Sequence, residues 1–423
     1  MSRDQHENAI ARAILGISSP YLATGEVLLH EPVRVRFEDG RVVPVGPAVD
    51  CGAQALDNTE LTRVARPAKV GKGRATVLDR TVRDGAQISA SKFTLEGVDL
   101  ALLGILEQLR IALSPDDATP FSAEPYALHI YGARGHFDTH KDTPTDRTML
   151  GSLVLCLASR FKGGELSLSH NGLFDQVDWA SEIEGSPSPL ILRWAAFFSD
   201  VDHRVESIRA GSRVTMTYRL SRSTSASPTK LLSTNAREAP LLRALKQALG
   251  DAAWEPDGAR FAVPCVHMYS TSAEGARKSQ KLTASELATL KGRDAVVARA
   301  AMKAGLSVSL RAVVFTEADE EALWELPKIP SRVRIPSRAT SDDVLDALPE
   351  GSTSESDLAF LLPEPFATLD GDAAPHASNR VKLRSLGERE FSFTGYFGNE
   401  GSSGEFYLFA ALVIEVPPAK RRS

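Results

Sequence analysis

The sequence contains little cysteine and no long apolar run, and these two absences exclude several classes of protein. Its 423 residues include three cysteines, Cys51, Cys156 and Cys265, an odd number at wide spacing that does not suit a disulfide framework. No apolar stretch reaches the length of a membrane span, and residues 1–8 lack the features of a signal peptide. We therefore expect a protein of a reducing, cytoplasmic compartment, with no membrane partner.

Concentrated positive charge is absent as well. The formal net charge is −5, and no run of lysines and arginines is long enough to form a basic surface. Nucleic acid is therefore not an expected partner. Hydrophobic residues make up 43% of the chain and charged residues 24%, which is ordinary for a globular protein with room for two domains or one large one.

The middle of the chain is rich in β-strand patterns. Some of its stretches are continuous apolar runs of β-forming residues, and others alternate between apolar and polar side chains. Strands are predicted over 126–131, 149–157, 165–169, 190–198 and 212–220.

The last of these strands has a polar face that carries Arg213 and Thr215. A polar face inside a barrel is unfavourable unless it binds something. Arg213 and Thr215 are therefore candidate ligand-binding residues.

Helical patterns lie on either side of this region. The clearest covers 95–113, where apolar residues recur every three or four positions, and a shorter amphipathic helix is predicted over 10–17. A hairpin is predicted over 33–45, around Asp39-Gly40. Towards the end of the chain the patterns predict helices over 240–249 and 284–304 and strands over 307–315 and 406–416.

Three residues in the central region form a candidate metal site: His140, Asp142 and His203. Two imidazoles and one carboxylate suit ferrous iron, because they occupy one face of the ion and leave the other positions open. The pair His136-x-Asp138 has the same spacing as His140-x-Asp142 and the same strand parity, so it is an alternative source of the first two ligands.

This region resembles the prolyl 4-hydroxylase-like class of Fe(II)/2-oxoglutarate-dependent dioxygenases. The matching elements are a Tyr nine residues before the first ligand, the His-x-Asp pair, a Gly-Gly-Glu-Leu turn, a distal His and a basic residue ten positions later. Here they are Tyr131, His140-Lys141-Asp142, Gly163-Gly164-Glu165-Leu166, His203 and Arg213. The spacing from Tyr131, and the Thr143-Pro144 that follows Asp142, favour His140 and Asp142 over His136 and Asp138.

The resemblance implies a reaction and its cofactors. His140, Asp142 and His203 would hold Fe(II), and Arg213 would pair with the distal carboxylate of the cosubstrate 2-oxoglutarate, where Tyr131 and Thr215 would add hydrogen bonds. Dioxygen would be the oxidant, succinate and CO2 the coproducts, and ascorbate an accessory reductant. Halogenating relatives lack the carboxylate ligand, so Asp142 favours hydroxylation.

Three functions remain open on the sequence. The first is hydroxylation of a prolyl or other residue of a protein or peptide. The second is the same chemistry on a free amino acid or natural product. The third is a non-catalytic scaffold that retains the barrel.

The expected fold is mainly β with flanking helices. It comprises a double-stranded β-helix of the jelly-roll or cupin-like kind, followed by a C-terminal α+β or degenerate barrel domain. We assign an N-terminal helix and hairpin extension packing on the catalytic domain to 1–80, and the dioxygenase domain to 81–220. The polar stretch 221–230 is a predicted linker, and 231–423 is the C-terminal domain.

Overall fold

The computed structural model describes most of the first three quarters of the chain and part of the last quarter. The described residues are 1–46, 59–72, 75–114, 120–143, 148–157, 161–184, 190–222, 236–272, 282, 284–315, 323–325, 359–360, 396–397, 405–408 and 410–422. Most of the predicted linker, 223–230, lies outside these residues.

The chain begins with a helix and then forms mostly short strands. The helices of this part are α1 (Arg3–Leu15), α2 (Thr59–Val64) and α3 (Ile105–Leu113). The strands are β1 (Leu22–Leu28), β2 (Val33–Phe37), β3 (Val42–Gly46), β4 (Arg66–Pro67), β5 (Val70–Lys72), β6 (Ala75–Val77), β7 (Arg83–Asp84), β8 (Ala86–Ser89) and β9 (Phe93–Glu96).

The central region is almost entirely β. Its strands are β10 (Phe121–Tyr131), β11 (His136–His140), β12 (Met149–Leu157), β13 (Phe161–Gly163), β14 (Leu166–His170), β15 (Leu173–Val177), β16 (Ile191–Phe198), β17 (Asp202–Val205), β18 (Ile208–Gly211) and β19 (Arg213–Arg222). One short helix, α4 (Trp179–Glu184), lies between β15 and β16.

The C-terminal part mixes helices and strands. Its helices are α5 (Ala239–Leu249), α6 (Ala284–Leu287) and α7 (Gly292–Lys303). Its strands are β20 (Ala259–Pro264), β21 (Tyr269–Ser272), β22 (Ser307–Phe315), β23 (Leu323–Glu325), β24 (Ala359–Phe360), β25 (Tyr396–Phe397), β26 (Glu405–Leu408) and β27 (Ala410–Val416).

Two antiparallel sheets enclose the central core. The larger has the strand order β1-β16-β12-β19-β10-β8-β4, and the smaller has the order β15-β14-β17-β11-β7. The central strands mostly alternate between the sheets, because β10, β12, β16 and β19 lie in the larger and β11, β14, β15 and β17 in the smaller. Strands β14 and β15 pair with each other, and β13 and β18 form a separate two-stranded sheet. The prediction of a mainly β fold is confirmed.

The predicted helix over 95–113 is wrong in its first half, since the helix begins only at Ile105. Gly97 and Gly104 have positive φ angles of 82° and 69°, which a regular helix does not accept. The Asp99 carboxylate also accepts hydrogen bonds from the backbone N–H groups of Ala101 and Leu102, so this segment forms turns. Leu102, counted as part of the apolar face, is 87% exposed.

A second hydrophobic core lies in the C-terminal part. Strands β23-β22-β27-β20-β24 form its sheet, and α5 and α7 contribute buried side chains. The predicted helix over 284–304 is interrupted between α6 and α7, where Gly292 has a φ of +44°. None of the described helices is both long enough and apolar enough to cross a membrane.

Helix α1 belongs to this second core, which differs from the expectation that it packs on the catalytic domain. Ile10, Ile14 and Ile17 are buried among the C-terminal side chains, and α1 packs along α5. Its apolar face matches α5, whose own face presents Leu241 and Leu245 to the same core. Strands β2 and β3 do pack into the central core, so the first 80 residues divide between the two cores.

Candidate metal centre

A pocket lies between the two central sheets, and it is lined by the six residues of the favoured site: Tyr131, His140, Asp142, His203, Arg213 and Thr215. Three of them come from the smaller sheet or the segments that join the sheets. His140 ends β11 and pairs across the strands with His203 of β17, which places the two imidazoles 4.2 Å apart between ring centroids. Asp142 follows two residues after His140 and is buried beside them.

Both imidazoles are oriented by backbone carbonyl groups. The Nδ1 atom of His140 donates to the carbonyl oxygen of Asp138 at 2.7 Å, and the Nδ1 atom of His203 donates to that of Val201 at 3.0 Å. Burial and the neighbouring His203 ring hold the pKa of His140 well below its usual value. The His140 ring is therefore neutral, the form in which histidine binds a metal, and in both rings the Nδ1 donation leaves Nε2 as the candidate metal-binding atom.

Asp142 is oriented by a hydroxyl group. Its Oδ2 accepts a hydrogen bond from the Ser152 hydroxyl at 2.7 Å, while its Oδ1 lies 3.8 Å from His203 Nε2. Metal–ligand bonds are about 2.0–2.2 Å long, so two atoms 3.8 Å apart are within reach of one ion. The predicted donors, two imidazole nitrogens and one carboxylate oxygen, therefore line the same pocket.

A different trio is more tightly grouped within the described part of the chain. The ligand atoms of His170, Asp200 and His267 all lie within 4.8 Å of one another, a distance at which a group could hold a metal ion. The ligand atoms of the predicted trio are not grouped this tightly.

Ring orientation and charge set the two groups apart. The rings of His170 and His267 are stacked, with centroids 4.7 Å apart and planes only 22° from parallel. Imidazole lone pairs lie in the ring plane, so stacked rings cannot both point at one ion. The ammonium group of Lys291 also lies 2.8 Å from Asp200 and already neutralises it. We therefore keep His140, Asp142 and His203 as the candidate ligands.

Arg213 is a buried cation in the same pocket. It is 2% exposed, and burial lowers the pKa of its guanidinium group. Among the described residues no carboxylate forms an ion pair with it, its Nε has no hydrogen-bond partner, and its guanidinium lies 5.1 Å from the ring centroid of Trp179. A buried cation in this state is unfavourable until an anion joins it.

The Gly163-Gly164 turn leaves room for this arginine. Both residues have positive φ angles, 75° and 72°. A Cβ atom on Gly164 would lie 2.2 Å from Ile208 Cδ1 and 3.1 Å from Arg213 Cδ. The glycines thus permit both the turn and the close packing behind the Arg213 side chain.

Tyr131 and Thr215 stand beside Arg213 on neighbouring strands. Tyr131 of β10 is directly opposite Arg213 of β19 in the strand register, and Thr215 is opposite His129. Tyr131 and Thr215 are buried, and both line the pocket. The polar face of β19 therefore turns towards the pocket.

Sequence reasoning missed two further residues of the pocket, Arg83 and His129. Arg83 Nη2 lies 2.9 Å from His129 Nδ1, and Arg83 Nε donates to the Tyr131 hydroxyl at 3.2 Å. Arginine has no acceptor, so His129 Nδ1 must accept and the ring proton must be on Nε2. Burial, with Arg83 and Arg213 nearby, holds the pKa of His129 well below its usual value. His129 is thus a fixed neutral donor.

The alternative pair lies outside the pocket. His136 makes hydrogen bonds to the backbone carbonyls of Arg134 and Thr81, and Asp138 is exposed. Regular alternation along β11 would place His136, Asp138 and His140 on the same face of the strand. An irregularity between Phe137 and His140 breaks this alternation, so the side chains of Phe137 and His140 both face inwards and stack.

Comparisons with known proteins give structural neighbours only. No family model and no curated protein matches the sequence. Similar solved structures include a Pseudomonas putida prolyl-4-hydroxylase, with 18% identity over 51% of this chain and 99% of the other and a TM-score of 0.30. Another is a Trichoplax adhaerens prolyl hydroxylase in complex with a hypoxia inducible factor oxygen degradation domain peptide fragment, with 14% identity over 52% and 91% of the chains and a TM-score of 0.30.

A third similar structure is an oxidoreductase of the 2OG-Fe(II) oxygenase family from Burkholderia pseudomallei. It has 17% identity over 40% of this chain and 81% of the other, with a TM-score of 0.26. TM-scores this low do not establish a shared fold. The functional assignment therefore depends on the geometry of the pocket itself.

Proposed function

We propose that the protein is an Fe(II)- and 2-oxoglutarate-dependent dioxygenase whose central strands form a double-stranded β-helix. One observation carries the proposal: the buried guanidinium of Arg213 shares a pocket with two imidazoles and a carboxylate. A metal alone would not require this cation. A dicarboxylate that chelates the metal at one end and reaches an arginine at the other accounts for both.

Each residue has a defined part in this proposal. His140 and His203 would bind Fe(II) through Nε2, and Asp142 through Oδ1, because Ser152 holds Oδ2. Bound Fe(II) supplies dioxygen activation coupled to decarboxylation of 2-oxoglutarate, with succinate and CO2 as coproducts. The retained carboxylate ligand favours hydroxylation of the substrate.

The cosubstrate is held by donors on neighbouring strands. Arg213 would pair with its distal carboxylate through a planar, permanently charged group. Thr215, Tyr131 and His129 would add hydrogen bonds. Arg83 donates to the Tyr131 oxygen, which leaves the Tyr131 O–H free to donate elsewhere.

The substrate proposed first is a prolyl or other residue of a protein or peptide. The alternative is a free amino acid or natural product. Lysate proteins and metabolites incubated with enzyme, Fe(II), 2-oxoglutarate, ascorbate and oxygen would be searched by mass spectrometry for an added oxygen atom. A modified peptide supports the first substrate class, and a modified metabolite supports the second.

The chemistry itself is tested without the substrate. Anaerobic protein reconstituted with Fe(II) should develop a visible charge-transfer band when 2-oxoglutarate is added. Fully metallated protein with an unchanged spectrum would contradict the oxygenase proposal and favour a scaffold that retains the barrel.

A further inference from the structure

The three-residue turn Ser199–Asp200–Val201 connects two of the candidate ligands, Asp142 and His203, to the rest of the protein. The carbonyl oxygen of Ser199 accepts a hydrogen bond from the backbone N–H of Asp142 at 3.2 Å. The carbonyl oxygen of Val201 accepts from His203 Nδ1 at 3.0 Å. A shift of this turn would therefore move or rotate both ligands.

The C-terminal part of the chain holds the middle of this turn. The Lys291 ammonium donates to Asp200 Oδ1 at 2.8 Å and to the Ser199 hydroxyl at 3.1 Å. On the other carboxylate oxygen, His267 Nδ1 lies at 3.1 Å and the Met268 backbone N–H donates at 2.9 Å. Asp200 thus has partners from two separate segments of the second core.

The contacts are fully shielded from water. The side chains of Asp200 and His267 are 0% exposed, and that of Lys291 is 4% exposed. Burial alone would raise the pKa of Asp200, but the charges of Lys291 and His267 outweigh it and hold the pKa well below its usual value. Removing Lys291 leaves the buried Asp200 with His267 and the Met268 N–H as partners but without its cation, which favours a shift of the turn.

We infer that Lys291 and Asp200 are positioning residues through which the C-terminal part of the chain orients Asp142 and His203. The inference rests on the proposed metal site, and it gives the C-terminal part a direct role in that site. A pair that served only the stability of the second core would not need to lie on the turn that both ligands contact.

The test compares Lys291→Met with a matched control in the same core. Arg299 is also buried, and its Nε forms an ion pair with Glu238 at 2.5 Å, but neither residue contacts the turn. Arg299→Met therefore removes a buried cation of the same core without touching the ligands. Both variants would be made in the full chain and studied below their unfolding temperatures, with folding checked by circular dichroism.

Outer residues that orient metal ligands typically contribute about 10- to 100-fold to metal affinity. We expect Lys291→Met to weaken Fe(II) binding by about this factor and to shift the charge-transfer band formed with 2-oxoglutarate. Arg299→Met should lower the unfolding temperature but leave both properties unchanged. Lys291→Arg should recover part of the loss, because it restores the charge.

Two outcomes would overturn the inference. One is a Lys291→Met protein that binds Fe(II) like the unmodified protein while losing as much stability as Arg299→Met. The second applies if Lys291→Met does not fold. Asp200→Asn then serves as the test, because it keeps the shape of the side chain and one acceptor oxygen, and normal Fe(II) binding by this variant would overturn the inference. Failure of the proposed function looks different, because the unmodified protein itself would then bind neither Fe(II) nor 2-oxoglutarate.

Discussion

Two groups of two histidines and one aspartate lie in this protein, and they differ in what surrounds the carboxylate. In the pocket, Asp142 has a serine hydroxyl and a neighbouring imidazole, and the nearby cation, Arg213, lacks a carboxylate partner among the described residues. In the second group, Asp200 is already paired with a lysine. Residue type alone therefore does not distinguish a ligand set from a structural ion pair. The positions of the cations and the planes of the rings do.

The largest effect is expected from substitutions that remove a ligand of the first group and leave the second group intact. His140→Ala or Asp142→Ala removes a ligand, so Fe(II) binding and turnover of 2-oxoglutarate should be lost. His170→Phe keeps the stacked ring of the second group and should leave both intact. Bound iron and succinate formation would be measured for each variant.

The alternative pair provides the control for this experiment. His136→Ala and Asp138→Ala should retain most of the activity, because neither side chain lines the pocket. Loss of iron in these variants, with retention in the variants of His140 and Asp142, would move the site by four residues along the chain.

The next largest effect tests whether Arg213, the cation of the pocket, binds the cosubstrate and not the metal. Arg213→Ala should leave the iron content unchanged, because Arg213 is proposed to contact only the cosubstrate. Truncating one partner of a buried, charge-assisted pair costs about 2–5 kcal/mol, which corresponds to roughly 30-fold to several-thousand-fold weaker binding of 2-oxoglutarate. Arg213→Lys should recover part of this loss. Normal affinity in Arg213→Ala would place the anchor elsewhere.

A smaller effect is expected for His129, the neutral donor fixed by Arg83. His129→Phe removes a hydrogen bond to a charged group, worth about 1.5–3 kcal/mol, or roughly 10- to 150-fold in cosubstrate affinity. His129→Gln retains an N–H donor and should bind more tightly than His129→Phe. Equal affinities for the two variants would show that Nε2 does not donate to 2-oxoglutarate.

A last effect is on the free energy of unfolding and not on ligand binding, and it concerns the acid stability of the second group. Burial lowers the pKa of His170 to about 3 from 6.5, so between these pH values the unfolded chain binds a proton that the folded protein does not. Stability should therefore fall as the pH drops from 6.5 towards 3, by up to about 1.4 kcal/mol per pH unit from this residue. Denaturant titrations of His170→Phe should show a shallower decline. The same slope in both proteins would contradict the shift.

The parts of the site that the sequence predicted depend on short spacings. His140 and Asp142 are two residues apart, His203 and Arg213 are ten apart, and the Gly163-Gly164 turn shows the need for positive φ directly in residue type. Arg83, His129 and Lys291 left no such pattern. Each meets its partner across 46 residues or more, so only the folded chain shows the contact.

Local backbone preferences that compete with the apolar pattern explain the errors in the predicted helix and strand. The apolar spacing of 95–113 is helical, but Gly97, Asp99 and Gly104 favour turns over its first half. Regular alternation likewise predicts that every second side chain of β11 faces the same side of the sheet, and the irregularity between Phe137 and His140 reverses this pattern. The apolar face of α1 was recognisable, whereas its partner, more than 200 residues away, was not.

That distant partner has a consequence for the order of events during synthesis. Helix α1 leaves the ribosome before the central region, yet the buried face that carries Ile10 and Ile14 packs on α5, which begins at Ala239. The whole central region is made in between and has its own core, so it can collapse while α1 is still without its partner. Contacts of such long sequence separation form slowly. Nascent chains halted between 222 and 239 should therefore be cleaved by protease within α1, and those extended past the C-terminal strands should resist.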